Sequence, residues 1–441
     1  MNVEQIYTGC LAHAAYYIES NGEAAIFDPL REVEPYLARA KKDNATIKYV
    51  FETHFHADFV SGHLDLQKKA GAEIVFGPGA APAYEATTAK DGQIFEVGDY
   101  KIKVIHTPGH TMESTTYLLI DEKGNEHGII TGDTLFIGDV GRPLGDHLIV
   151  YPNHGAGSAC GKMMSKETTD TLGNQKKLNY ALRPDMTKDE FIKELLTGLT
   201  APPGYFPQNV LMNIKGYDSL DDVKKRGEKP LNPEAFEVAA NESGALLLDT
   251  RNAEDFAKGF IPNSINIGLE GNFAQWVGEM IPDVKQHILL ITEPGKEDEA
   301  ITRLSRVGYD YTIGYLDGGF ESWKKADKSF NTVNRIDPET LASVYEENPL
   351  IFDVRKKSEF DSEHILEATN IPLNEINDHL AELPKDKPLY LHCAGGYRSM
   401  IAASILKQRG WEYITDVRGG FKEISETDIP KSDYVCPTTM L

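Results

Sequence analysis

Thr53-His54-Phe55-His56-Ala57-Asp58-Phe59 places three potential metal ligands at alternate positions, and the reading of this stretch decides the fold of the N-terminal part of the chain. It follows Ile-Lys-Tyr-Val-Phe-Glu (47–52), whose β-branched and aromatic residues read as a strand. Side chains just past a strand end are held by a rigid scaffold and can converge on one ion. A version of this turn serving two metals would want a further histidine at position 59, where this chain has phenylalanine. Alone, an H-x-H pair carries little weight, because most such histidines lie on a surface or in a core.

Three more strand-like runs end in a potential ligand. Residues 100–109 lead into His110, 127–132 into Asp133, and 148–153 into His154. Imidazole and carboxylate without thiolate suit zinc, iron or manganese. The ordered set H-x-H-x-D, T-P-G-H-T (107–111), T-G-D (131–133) and P-N-H-G (152–155) resembles the metallo-β-lactamase fold, an αββα sandwich with its metal between two sheets. In binuclear hydrolases of that fold, such as glyoxalase II, the first turn reads H-x-H-x-D-H. Phe59 supplies no lone pair, so one ion rather than two is expected. G-H-T-M-E-S (109–114) and the stretch 132–142, ending in Arg142, are similar to the persulfide dioxygenases of this superfamily. Those are non-haem Fe(II) enzymes in which two histidines and one carboxylate leave positions open for substrate and O2.

That resemblance implies Fe(II), one per chain, on His54, His110 and Asp133, with zinc as the alternative. It makes His56 and Asp58 groups that orient ligands and water, and His56, Asp58 and His154 are each either such supporting groups or metal ligands themselves. His56 as a fourth ligand stays open, and would favour a closed zinc site. His13, His63 and His106 read as hydrogen-bonded structural histidines. Cys160 either lines the substrate entrance or is a buried inert thiol. Arg142 either faces a substrate anion or ties its loop down.

The second half of the chain repeats itself. LLLDTRNAEDF (246–256) matches LIFDVRKKSEF (350–360), ILLITEPGKEDEA (288–300) matches LYLHCAGGYRSMI (389–401), and LDGGFESW (316–323) matches VRGGFKEI (417–424). Each copy alternates short strands with helical stretches, the pattern of a small α/β domain with a parallel sheet. Charged, Pro-containing joints at 224–236 and 324–340 place domains at 1–230, 231–328 and 329–441.

HCAGGYRS (392–399) puts Cys393 at a strand end, on a Gly-rich loop just before a helix. Backbone N–H groups and the helix dipole there favour a thiolate, and Arg398 adds positive charge. The loop is C-x4-R, one residue shorter than the C-x5-R that cradles phosphate in cysteine phosphatases. With FDVR (352–355) and RGGF (418–421) around it, this loop resembles rhodanese. Asp353 and Arg355 read as frame. Cys393 and Arg398 are the expected catalytic pair. Ala394, Gly395, Gly396, Tyr397, Ser399 and the distant Arg142 are the expected substrate contacts. With one residue of slack in the repeat, Glu293 stands where Cys393 stands. The middle copy then lacks a thiol and serves as a spacer, a docking surface or part of the wall of a neighbouring site.

Composition bounds the rest. The 441 residues carry a formal net charge of −23, which argues against a general nucleic-acid binder. No apolar run is long enough to span a membrane, and no secretory signal is visible at the N-terminus. The four cysteines, Cys10, Cys160, Cys393 and Cys436, form no disulfide framework, and a reducing cytoplasm is the expected home. A symmetric homo-oligomer is the commonest assembly.

The expected architecture is therefore α/β multidomain: an αββα metallo-β-lactamase fold followed by two rhodanese-like α/β domains. The resemblance implies a persulfide dioxygenase fused to a thiosulfate sulfurtransferase in sulfide detoxification. Its partners would be a low-molecular-weight thiol persulfide, O2, and sulfite or thiosulfate, with no nucleic acid and no membrane. The rivals are a zinc-dependent thioester hydrolase of glyoxalase II type with a sulfurtransferase appended, and a non-catalytic sulfur-relay or sensing protein.

Overall fold

The computed structural model describes residues 1–137, 145–158, 160–161, 164–183, 185–196 and 202–435. The chain divides into two compact units: residues 1–223 with 302–310, and residues 224–301 with 311–441.

In the first unit, β1 (Val3–Thr8), β2 (His13–Ser20), β3 (Glu23–Phe27), β4 (Thr46–Glu52), β5 (Glu73–Phe76) and β6 (Thr87–Thr88) form one sheet in chain order. A second sheet runs β7 (Ile94–Val97), β8 (Tyr100–His106), β9 (Thr115–Ile120), β10 (Glu126–Gly132), β11 (Ile149–Pro152) and β12 (Asp170–Thr171). Side chains alternate between the faces of a strand, and β2 shows what each face meets. Ala14, Tyr16 and Ile18 join a core shared with Val104, Tyr117 and Ile130 of the opposite sheet. Ala15 and Tyr17 turn the other way, against Tyr36 and Ala40 of the helix Glu34–Lys42 and Leu66 of the helix His63–Ala70. Covering both faces explains why these strands read as nearly unbroken apolar runs. Leu118, Ile129 and Val150 on the outer face of the second sheet meet Leu172 of the helix Leu172–Leu178. The result is the αββα sandwich that the sequence led us to expect.

The second unit holds two parallel five-stranded sheets of the same order. The first comprises β13 (Pro230–Leu231), β14 (Leu246–Asp249), β15 (Ile265–Asn266), β16 (Ile288–Ile291) and β17 (Thr312–Leu316), ordered β13-β17-β16-β14-β15. The other comprises β18 (Asn334–Ile336), β19 (Leu350–Asp353), β20 (Thr369–Asn370), β21 (Leu389–His392) and β22 (Ile414–Val417), ordered β18-β22-β21-β19-β20.

The repeat extends to register, and register corrects one expectation. Asp249 pairs with Ile291 as Asp353 pairs with His392. The residue after each strand is Thr292 in one copy and Cys393 in the other, so the counterpart of Cys393 is Thr292, not Glu293. A parallel ladder fixed at four successive pairs leaves no room for the one-residue slack. Either way the middle copy carries no thiol at this position. Asp353 and Arg355 form a buried ion pair at 2.6 Å, repeated by Asp249 and Arg251 at 2.5 Å. No helix among the described residues is long and apolar enough to cross a membrane.

Candidate metal centre and thiol loop

The turn after β4 is held from three sides. Asp28, at the end of β3, accepts the Thr53 N–H at 2.7 Å and the Thr53 hydroxyl at 3.0 Å. Asn213, on the helix Phe206–Lys215, donates to the carbonyls of His56 and Phe59 at 2.8 and 2.9 Å and accepts the Ser61 N–H at 3.0 Å. Val60 N–H donates to the Arg306 carbonyl at 2.7 Å. Gly132 has a φ of +53°, and a Cβ there would lie 2.4 Å from Thr53 Oγ1. Only glycine therefore lets the end of β10 come close enough to set Asp133 beside His54.

His54, His110 and Asp133 converge, each with one ligand atom within 4.8 Å of the other two. The Nε2 atoms of His54 and His110 lie 3.9 and 3.5 Å from Asp133 Oδ2. Two donors each about 2.1 Å from one ion at a tetrahedral angle sit about 3.4 Å apart, so the spacing is that of ligands around a cation. Because the Thr53 hydroxyl gives its proton to Asp28, it must accept from His54 Nδ1, 3.0 Å away, which leaves Nε2 bare toward Asp133. Burial, with His56 and the other nearby histidines, holds the His54 pKa well below 6.5, so the imidazole is neutral as a ligand must be. Both oxygens of Asp133 are buried, and among the described residues they meet no N–H donor, only the weakly donating Cys160 thiol. A carboxylate in that state calls for a cation. His110 is exposed while its partners are buried, so the centre opens to solvent on that side. The donor set fits a divalent metal with open positions.

His56 turns away from this group. Its Nε2 lies 3.0 Å from Asp28 Oδ1 and 3.2 Å from Glu52 Oε2. With the Asn153 amide turned to donate to Ala14 O and Asp28 Oδ2, its oxygen faces His56 Nδ1, 3.4 Å away. Both ring nitrogens are then engaged as donors. Burial pulls the His56 pKa down, but the Asp28 and Glu52 carboxylates outweigh it and raise it well above 6.5. His56 thus lies between two buried carboxylates, apart from the group formed by His54, His110 and Asp133. Phe59, fully buried, stacks on His56 at 4.3 Å and meets the edge of His13 at 4.4 Å.

Asp58, His154 and Cys160 form a neighbouring cluster whose ligand atoms also lie within 4.8 Å of one another. Burial, then Asp58 and Asp133, push the Cys160 thiol up. His63 and His106 are hydrogen-bonded, to Glu52 at 3.2 Å and to the Met112 carbonyl at 3.0 Å. His13 is fully buried against Phe59 and is hydrogen-bonded to the Asp28 backbone. Arg142 lies outside the described residues. The sequence reading passed over Asp28, Glu52, Asn153 and Asn213. A carboxylate closing an apolar run, as in Ala-Ile-Phe-Asp (25–28) and Tyr-Val-Phe-Glu (49–52), was the available signal for the first two.

Cys393 directly follows β21 and is 1% exposed. Its Sγ accepts the Gly396 N–H at 3.1 Å, at the start of the helix Tyr397–Gln408, so backbone polarity faces the sulfur. Ala394 is half-buried, Gly395 exposed and Ser399 buried around it. Phe421 N–H and Lys422 N–H clamp the loop through the carbonyls of Cys393 and Ala394, at 2.6 and 3.1 Å. Arg398 is less free than expected: its guanidinium forms a two-pronged pair with Glu359 at 2.6 and 2.8 Å. Much of its charge is therefore balanced before any substrate arrives. The Tyr397 hydroxyl donates to Gly268 O at 2.6 Å, and its ring lies against Gly268 and Gly271. The middle copy thus walls the thiol loop, one of the three roles the sequence left it.

Comparison with known proteins agrees with this construction. Residues 8–176 match the metallo-beta-lactamase superfamily model, and residues 232–326 and 337–427 match the rhodanese-like domain model. The solved metallo-beta-lactamase of Staphylococcus aureus subsp. aureus COL is 31% identical, with a TM-score of 0.62, over 72% of this chain and 98% of that one. The chain belongs to the metallo-β-lactamase superfamily and carries two rhodanese-like domains behind the metal-binding fold. Among curated proteins it is similar to the cytoplasmic hydroxyacylglutathione hydrolase of Arabidopsis thaliana, 34% identical over 28% of this chain. It is also similar to the hydroxyacylglutathione hydrolase of Brucella anthropi, 40% identical over 24% of this chain. The chain spans 48% and 40% of the length of these two relatives.

Proposed function

We propose that the chain oxidises a low-molecular-weight thiol persulfide to sulfite with O2 and passes sulfane sulfur through Cys393 to give thiosulfate. The observation that carries this reading is the withdrawal of His56. It leaves His54, His110 and Asp133 as an open set of two imidazoles and one carboxylate, the donor pattern of non-haem Fe(II) oxygenases. Fe(II) held there would supply coordination positions for the terminal sulfur and for O2. The balance is RSSH + O2 + H2O → RSH + SO3²⁻ + 2H⁺.

The chain's own groups do the rest. Thr53 fixes the His54 tautomer, and the Asp28–His56–Glu52 triad holds the turn behind the ligands. The exposed side of His110 is the approach for substrate. At the other site Cys393 thiolate attacks the outer sulfur of a persulfide, forming Cys393–S–SH and releasing the thiol. Sulfite then attacks that outer sulfur, thiosulfate leaves, and the Cys393 thiolate is restored. Fusion keeps the sulfite source near its acceptor.

Cys393→Ser is expected to leave persulfide-dependent O2 uptake intact and to make sulfite the end product. Thiosulfate forming at the normal enzymatic rate would refute the transfer step. His110→Ala is expected to abolish iron binding and O2 uptake together, and undiminished uptake would refute the metal assignment. The names of the curated relatives favour a second reading, hydrolysis of a glutathione thioester. Thioester turnover by zinc-loaded protein without O2 uptake on persulfide would select it.

A further inference from the structure

We propose that Glu254 of the middle copy, acting through Arg335, is a positioning residue for sulfur transfer: it holds Gly396 so that its N–H stays on the Cys393 sulfur. The inference rests on the reading of Cys393 as the sulfur carrier, and it gives the thiol-free middle copy a role in that reaction.

The two copies share a frame and differ at a few places. Asp353 and Arg355 repeat Asp249 and Arg251, and Gly396 repeats Gly295, with φ of +90° and +87°. Arg335 has no such twin. It pairs with Asp416 in the ladder of β18 and β22, and at the same place in β13 and β17 Pro230 pairs with Tyr315. The frame therefore forms without a guanidinium at this position, and Arg335 serves the copy that bears the thiol.

Arg335 reaches three groups. Its Nε donates to Asp416 Oδ2 and its Nη1 to Glu254 Oε2, both at 2.7 Å, and its Nη2 would lie 3.4 Å from a Cβ on Gly396. A planar guanidinium held by two carboxylates has one orientation, and its remaining edge rests against Gly396, whose N–H donates to Cys393 Sγ at 3.1 Å. Arg418, which stands where the middle copy has Asp317, also meets Glu254 Oε2, at 3.3 Å. The next residue along the loop, Tyr397, is tied to Gly268 O at 2.6 Å. Gly396 thus stands between two ties to the middle copy. Its N–H matters most when Sγ is the leaving group. Sulfite takes the outer sulfur of Cys393–S–SH, the S–S bond breaks, its electron pair goes to Sγ, and the proton of the outer sulfur goes to solvent. The charge that develops on Sγ is met by the Gly396 N–H. A loosened Gly396 slows release of thiosulfate without weakening the binding of persulfide.

The test is thiosulfate formation by the full-length chain without O2, from glutathione persulfide and added sulfite, per folded chain and above the protein-free rate. Glu254→Ala should lower kcat by roughly tenfold, part of the about 100-fold that a misplacement of about 1 Å costs, and leave KM for the persulfide within about twofold. Chains carrying one extra sulfur on Cys393 should accumulate during turnover, as mass spectrometry of the stopped reaction reads. Glu254→Gln keeps an acceptor for Arg335 and should recover part of the rate. Arg335→Lys keeps a charge for Asp416 but cannot make all three contacts, and should match Glu254→Ala. Lys258→Ala removes an exposed neighbour of the same carboxylate, 3.9 Å away, and should turn over as the unaltered chain does. An unaltered kcat in Glu254→Ala, a change in KM alone, or a lower kcat with no sulfur-loaded chain overturns the proposal. Thiosulfate formed at the unaltered rate by Cys393→Ser would instead overturn the reading of Cys393 on which it rests.

Discussion

His56 and His110 sit in opposite surroundings, and the difference predicts opposite costs of removal. His56 is fully buried and protonated between Asp28 and Glu52. His56→Ala leaves two buried carboxylates without a counter-charge, and breaking such a group costs about 3–5 kcal/mol. His110 is exposed, and an exposed substitution of this kind changes stability by about 0.5 kcal/mol or less. Denaturant unfolding of the metal-free variants should show this contrast, and a stable His56→Ala protein would mean that the triad is not charged as described. The sequence makes a converging group legible because strand-like runs lead into the His54–Asp58 turn, His110, Asp133 and His154, and the resemblance to persulfide dioxygenases picks His54, His110 and Asp133 from it. It does not separate His56 from His54, because two residues in one turn share a spacing but not a direction. What separates them is Glu52, which closes the strand before the turn, together with Asp28 and Asn153, which come from two other strand ends and meet it only in the fold. The same holds for Cys160, whose neighbours in sequence say nothing of Asp58.

At the scale of elements, the loop after β21 owes its shape to a backbone contact from the next crossover. Gly420 has a φ of +57°, and a Cβ there would stand 2.3 Å from the Cys393 carbonyl oxygen. Gly420→Ala is therefore expected to push the loop off its clamp and cut thiosulfate formation by roughly 100-fold, the cost of a misplacement of about 1 Å. Persulfide-dependent O2 uptake should be unchanged, so measuring both products in one assay tests the claim. The inert copy keeps the same contact: a Cβ on Gly319 would stand 2.6 Å from the Thr292 carbonyl oxygen. That equivalence is a second, independent sign that Thr292 is the counterpart of Cys393. The repeat, its strands and its reactive loop were all readable from residue types. The register was not, because four-residue strands with apolar residues throughout tolerate a one-residue slip on paper. The ladder does not, since a slip turns every side chain to the other face.

At the scale of the molecule, the first unit is not a continuous piece of chain, since residues 302–310 belong to it. Arg31 shows how firmly they are held. Its guanidinium, 0% exposed, grips both carboxylate oxygens of Asp310 at 2.6 and 2.8 Å and the carbonyls of Ser305 and Asp218 at 3.0 and 2.6 Å. Asp310→Ala leaves that cation buried without a counter-charge, at a cost of about 3–5 kcal/mol. Hydrogen exchange should report the loss in β2 to β4, and full protection there would count against the assignment. No local motif announces this contact, because Arg31 and Asp310 stand 279 positions apart.

The Arg306 carbonyl that receives Val60 gives the same arrangement a meaning in time. Domains ordinarily fold in order as they leave the ribosome, at about 5–20 residues per second. Here the turn that bears His54 and Asp58 gains its last support only when position 306 has been made. At that rate the wait from position 60 is on the order of 10–50 seconds. During it the metal-binding turn is a nascent structure, and a metal ion captured by the growing chain would meet an incompletely braced pocket. Loading of the centre is thereby deferred until most of the chain has been made.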